Sequence, residues 1–218
     1  MNFSKKGDVY DDPHAAAGLK TVYQARLVGL ISIVLVIVPI VQVLAVAAML
    51  IAGFLALVGL AQCRKDDKGY RIAFNMINAS LVTDLSTNLV SAYAGTEGFA
   101  GICGNILSIA TDVLSLASLY FVCITTNRLL KETAAAENLI DRGIVVWKLN
   151  VVCTVILLVC YLLQMIPGNI AAIIAGYLAI FALIAQIVGN VLYILYLHNA
   201  YRALEAVIPP EEQVQQMM

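Results

Sequence analysis

LVGLISIVLVIVPIVQVLAVAAMLIAGFLALVGLAQ, residues 27–62, is almost unbroken apolar sequence with a single proline, Pro39, inside it. As one helix it would be about 54 Å long, against a hydrocarbon core of roughly 30 Å. Proline cannot donate to an interior helical turn. The stretch therefore reads as a tight hairpin of two membrane spans, at about 21–38 and 41–62.

The rest of the chain supports that environment. Of 218 residues, 61% are hydrophobic and 12% charged, with a mean hydropathy of +0.89. A soluble domain has roughly 45–50% apolar and about 25% charged residues. The formal charge of −1 and the lack of a long Lys/Arg run exclude nucleic acid as an expected partner. Beyond the charged stretch CRKDDKGYR (63–71), further apolar segments give spans at about 72–93, 101–126, 144–166 and 170–198. Residues 1–20 read as an N-terminal tail, 21–205 as the six-span domain and 206–218 as a short C-terminal tail. The N-terminal twenty residues mix acids with bases, and the first apolar run is far longer than a signal-peptide core of about 7–15 residues, so no cleaved leader is expected.

In this topology all thirteen Lys and Arg fall on one side of the membrane. The turns on the other side, around Pro39, at AGTEGFAG (94–101) and at PGN (167–169), carry one charge, Glu97. Basic residues favour the cytoplasmic face, so both termini are expected there. The expected fold is all-α: a polytopic transmembrane helical bundle of three hairpins. Hairpins 2 and 3, from Gly69 to Glu132 and from Gly143 to Glu205, look like copies with a period near 74 residues. Their exits LYFVCITTNRLLKE and LYILYLHNAYRALE run on as helix past the membrane.

Two spans carry polar stripes. On span 3, Ser80, Asp84, Thr87, Asn88 and Ser91 share a face at helical spacing; on span 4, Asn105, Ser108, Asp112, Ser115 and Ser118 do so. Each acid follows a threonine, Thr83-Asp84 and Thr111-Asp112. An aspartate at the centre of a span costs about 2.5–3.5 kcal/mol on the insertion scale, so this face must turn to the bundle interior or a wet cavity. The sequence places no Lys or Arg in the core beside these acids. Two carboxylates in low dielectric then share a proton or hold a cation. Hydroxyl and amide oxygens of Ser80, Thr83, Asn88, Asn105, Ser108 and Thr111 are hard ligands suited to Na⁺, Mg²⁺ or Ca²⁺. Gln186 and Asn190, four apart on span 6, extend the polar path. The competing reading is interhelical glue made by the same groups.

Other features carry structure. The five cysteines lack a C-x-x-C pair and read as buried thiols. His198, Asn199, Tyr201 and Arg202 read as an anchor at headgroup level. Ala48, Ala52 and Ala56, and Ala172, Gly176 and Ala179, form small-residue packing stripes. No Ser–His pair, H-E-x-x-H or metal-ligand set is present, so neither an enzyme nor a cofactor is expected.

The run VGLAQCRKDDKGYRIAF (58–74), after a proline-broken apolar hairpin, resembles small uncharacterised multi-span bacterial membrane proteins. That resemblance implies a bacterial inner (plasma) membrane setting. In size and span number the chain is also similar to the substrate-binding membrane subunits of vitamin importers. Those usually carry their small-residue stripe on the first helix, whereas here it lies on span 2.

The sequence thus leads to an integral membrane protein of transporter or channel-like type, with a cation or proton site at Asp84 and Asp112. The alternative is a non-catalytic scaffold or assembly subunit. Its expected partners are the lipid bilayer, a monovalent or divalent cation or a proton, and a second copy or a membrane-complex subunit.

Overall fold

The structure, a computed structural model, describes residues 13–36, 42–95, 98–132, 137–164 and 169–206. These residues form six helices and no strand: α1 (Pro13–Val36), α2 (Gln42–Cys63), α3 (Lys68–Ala94), α4 (Gly98–Glu132), α5 (Glu137–Gln164) and α6 (Asn169–Glu205). The long apolar run is indeed two helices. Pro39 itself, Glu97, Pro167 and the two chain ends lie outside the described residues. Four helices, α2, α4, α5 and α6, are long and apolar enough to cross a membrane. α1 and α3 are less apolar: α1 carries Lys20 and Arg26, and α3 carries the polar residues of its stripe.

Helices adjacent in the chain are adjacent in space. The tightest pairings are α1 with α2, α3 with α4 and α5 with α6, which are the three hairpins. α2 then packs on α3, α4 on α5, and α6 returns to α1, closing a ring that α4 and α6 bridge across the middle. The closure between α1 and α6 is laced by side chains. Lys20 Nζ reaches Glu205 Oε1 at 3.2 Å, Tyr23 stacks near His198 and Tyr201, and the Arg26 guanidinium lies 5.4 Å from the Tyr193 ring centre.

The core is concentrated at the end of the bundle that carries the basic residues. Leu19, Leu60, Tyr70, Leu130, Tyr196 and Leu204 are all fully buried there. This packing extends α1 eight residues into the segment expected to be a tail, because Ala15, Ala16 and Leu19 join that core. Two glycines set the α1–α2 distance. A Cβ on Gly59 would lie 2.7 Å from the Gly18 carbonyl oxygen, so the two backbones touch where they cross. Hydrogen bonds tie the neighbouring helices at the same end. Asn127 of α4 accepts from Tyr196 Oη of α6 at 2.8 Å and donates to the Ile140 carbonyl of α5 at 3.1 Å. Tyr70 of α3 shares a 2.8 Å bond with Thr126 of α4. Asp67 caps α3 by accepting from Gly69 N and also pairs with Arg128.

Towards the opposite end the buried residues are small: Ala45, Ala52, Ala175, Ala182, Cys153 and Cys160. Small side chains let the helices of a hairpin approach closely where lipid offers no hydrophobic drive to associate. On α2 the expected stripe packs through Ala52 and Ala56. On α6 the packing face is Ala175 and Ala182, and Gly176 is exposed with open space beside it. Large apolar side chains such as Val43, Leu50, Phe54, Phe99, Tyr177 and Phe181 are exposed around the outside. An apolar surface of that extent requires a non-aqueous neighbour, which agrees with four helices long and apolar enough to cross a membrane.

The repeat has a structural counterpart. Buried positions 119, 122, 123, 126, 127 and 130 of α4 recur as buried 193, 196, 197, 200, 201 and 204 of α6. The offset is constant and equals the separation of Gly69 and Gly143, each of which packs closely on a neighbouring helix.

Candidate functional site: a polar cavity inside the helix ring

The α3–α4 seam accounts for much of the polar stripe. Ser118 Oγ donates to the Ala73 carbonyl at 3.1 Å, Ser80 and Ser115 share a 2.7 Å hydroxyl bond, and Thr111 Oγ1 donates to Thr83 Oγ1 at 2.9 Å. These three contacts climb the seam like rungs. They turn Ser80 and Thr83 of α3 toward α4, a face rotated from the one through Asp84. Thr87 is half-buried and donates back to the Thr83 carbonyl at 2.9 Å. Asp84 and Asn88 are exposed, and Asn88 bonds the Asp84 carbonyl of its own helix. Asn105 and Ser108 are half-buried.

Asp112 has a different setting. It lines a cavity of about 80 Å³ together with Arg26, Ser115, Asn150, Thr154, Gln186 and Asn190, with Leu116, Leu119 and Leu157 completing the wall. Four helices meet here: α1, α4, α5 and α6. Measured along α4 at 1.5 Å per residue, Asp112 lies about 21 Å from the Gly98 end, within the depth of a bilayer. Asp112 Oδ2 is buried without a hydrogen-bond partner, and so is Arg26 Nε. Asp84 is close enough for its charge to act on Asp112 without sharing the cavity.

The structure thus brings Asp112, Gln186 and Asn190 to one cavity and leaves Asp84, Asn88, Asn105, Ser108, Ser80, Thr83 and Thr111 off its wall. It also corrects the expectation that no basic residue lies in the core: Arg26 does. Beside it Val22 and Ala25 are buried, so this face of α1 points inward, and the Tyr193 ring holds the guanidinium there. Asn150 and Thr154 complete the site. Asn150 is buried, with Nδ2 donating to the Val146 carbonyl at 2.9 Å. Their four-residue spacing matches that of Gln186 and Asn190, and this signal would have found them in the sequence.

A second cavity of about 240 Å³ adjoins the first. Arg26 and Asn190 line both, and the larger one is otherwise walled mainly by Gly29, Leu30, Ile33, Met49, Ala52 and Ile77. No group of three or more His, Cys, Asp or Glu suited to a metal exists among the described residues. Chemically, the small cavity offers one carboxylate, one guanidinium and five amide or hydroxyl side chains. That set can bind a cation, pass a proton or orient a polar solute. Comparison with known protein families, curated proteins and solved structures gave no match.

Proposed function

We propose that the chain is a six-span, multi-pass membrane protein with both termini cytoplasmic, acting as a small transporter or channel-like protein. Its cation or proton site is the cavity at Asp112. The observation that carries this reading is Asp112 on the wall of a polar cavity at membrane depth, with its Oδ2 buried and without a hydrogen-bond partner. Intramembrane acids that face a cavity mark ion and proton pathways. Asp84 influences the site from outside it.

The test is flux into proteoliposomes that hold a pH- or cation-sensitive dye. Wild type should dissipate an imposed gradient. Asp112→Asn, folded normally, should not. Unchanged flux in that variant would defeat the proposal. The charged groups that bear on Asp112 are Arg26, on the same cavity wall, and Asp84, outside it.

One observation favours a second reading. The hydroxyls of the α3–α4 seam are consumed in contacts between the helices. A scaffold or assembly subunit needs such glue, and its basic helix ends would dock a partner.

A further inference from the structure

The two cavities meet at Arg26 and Asn190, and their chemistry differs. Arg26 and Asn190 stand at the junction: one side holds Asp112, Asn150, Thr154 and Gln186, the other mostly aliphatic groups and glycine. Arg26 and Asp112 both line the small cavity, and a donor of the one, Nε, and an acceptor of the other, Oδ2, are buried without a hydrogen-bond partner. A bare cation or a proton satisfies Asp112 and leaves Arg26 Nε without a partner. A bare anion does the reverse. One molecule with both charges satisfies both, and buried polar groups strongly favour a partner that completes them.

We infer that the joint cavity binds a small zwitterion with an apolar body, its ammonium at Asp112, its carboxylate at Arg26 and its hydrocarbon in the larger cavity. Arg suits the carboxylate because its planar fork presents paired donors. The about 80 Å³ of the polar part holds a head group the size of a few waters, each of which takes about 30 Å³ in the liquid. The about 240 Å³ of the second part admits a short branched or linear chain. This inference rests on the reading of Asp112 as the site and names its solute class.

The experiment is melting of the purified full chain in detergent with four probes. L-Leucine carries head and body, isoamylamine lacks the carboxylate, 4-methylpentanoate lacks the ammonium, and glycine lacks the body. A ligand that binds only the folded state raises Tm by mass action. Leucine should raise Tm more than each of the other three at equal concentration. Arg26→Gln and Asp112→Asn should each weaken leucine by about tenfold or more. Arg26→Lys, which keeps the charge, retains part of the response if Arg26→Gln folds poorly. Gly29→Val should weaken leucine and spare glycine, because a Cβ there meets only the Ala52 methyl at 3.8 Å and extends into the larger cavity.

If isoamylamine or Na⁺ stabilises as well as leucine does, through Asp112 and independently of Arg26, the zwitterion is overturned and the Asp112 site stands. If no probe, cation or pH change acts through Asp112, both fall together.

Discussion

Adding one methyl at Gly59 tests the packing that holds the bundle's basic end together. A Cβ there would lie 2.7 Å from the Gly18 oxygen, 2.7 Å from Val22 Cγ2 and 2.8 Å from Val22 N. Ordinary carbon contacts sit at about 3.5–4.0 Å. Two of the three obstacles are backbone, so no side chain can rotate away, and α1 and α2 must part by about 1 Å. That opens the crossing where Ala15, Leu19, Val22, Leu60 and Cys63 are buried. Overpacking of this kind costs about 1–3 kcal/mol, offset by up to about 1 kcal/mol from the better helix propensity of alanine. For a chain of this size each kcal/mol moves Tm by about 2–4 °C. Gly59→Ala should therefore lower Tm by several degrees in detergent. The matched control is Gly104→Ala, where a Cβ meets nothing within 4 Å. It gains only propensity and should melt at or slightly above wild type. A Gly59→Ala protein as stable as wild type, or a Gly104→Ala protein that falls as far, would refute the close crossing.

Four further tests bear on other positions. Asn127→Ala removes the side-chain bonds to the Ile140 carbonyl and from Tyr196 Oη, which keeps only its 3.3 Å bond to the Cys123 carbonyl, at a buried junction of three helices, and should cost about 1–3 kcal/mol by thermal or denaturant melting. Asn88→Ala, on an exposed site, should stay within about 0.5 kcal/mol of wild type. Asp67→Ala removes both the α3 cap and the pair with Arg128, and should cost about 0.5–2 kcal/mol; Asp67→Asn keeps the cap and should recover most of it, with little change in salt dependence. A double-mutant cycle on Ser80 and Ser115, 2.7 Å apart, should give a coupling near the membrane average of about 0.6 kcal/mol; zero coupling would remove that rung of the seam.

Much of the fold was legible because its signals are local. Pro39 and the lengths of the apolar runs gave six helices in three hairpins, and α4 and α6 continue as helix to Glu132 and Glu205 as expected. Asp112, Gln186 and Asn190 were legible as polar residues at helical spacing in apolar surroundings. The partners of Asp112 were less so. A stripe drawn through i+3 and i+4 neighbours covers a wide arc of a helix, and the sequence could not fix which part faces α4. The seam runs through Ser80 and Thr83, and the exposed edge falls on Asp84 and Asn88. Arg26 was counted as a cytoplasmic charge because positive-inside reasoning treats every basic residue near a span end alike. What turns it inward is the α1–α6 closure and the face of Tyr193, a contact between residues far apart in the chain. Asn150 and Thr154 have the right spacing, but no acid beside them marks them as a site in the sequence.

The most direct measurement is Tm of wild type, Asp84→Asn and Asp112→Asn across mildly acidic to mildly alkaline pH, with and without Na⁺, K⁺, Mg²⁺ or Ca²⁺. The account predicts a pH- or cation-specific shift that survives Asp84→Asn and vanishes in Asp112→Asn, because only Asp112 lines the cavity. A flat response in wild type, with Asp112→Asn simply melting lower, would contradict it and make that carboxylate part of the glue.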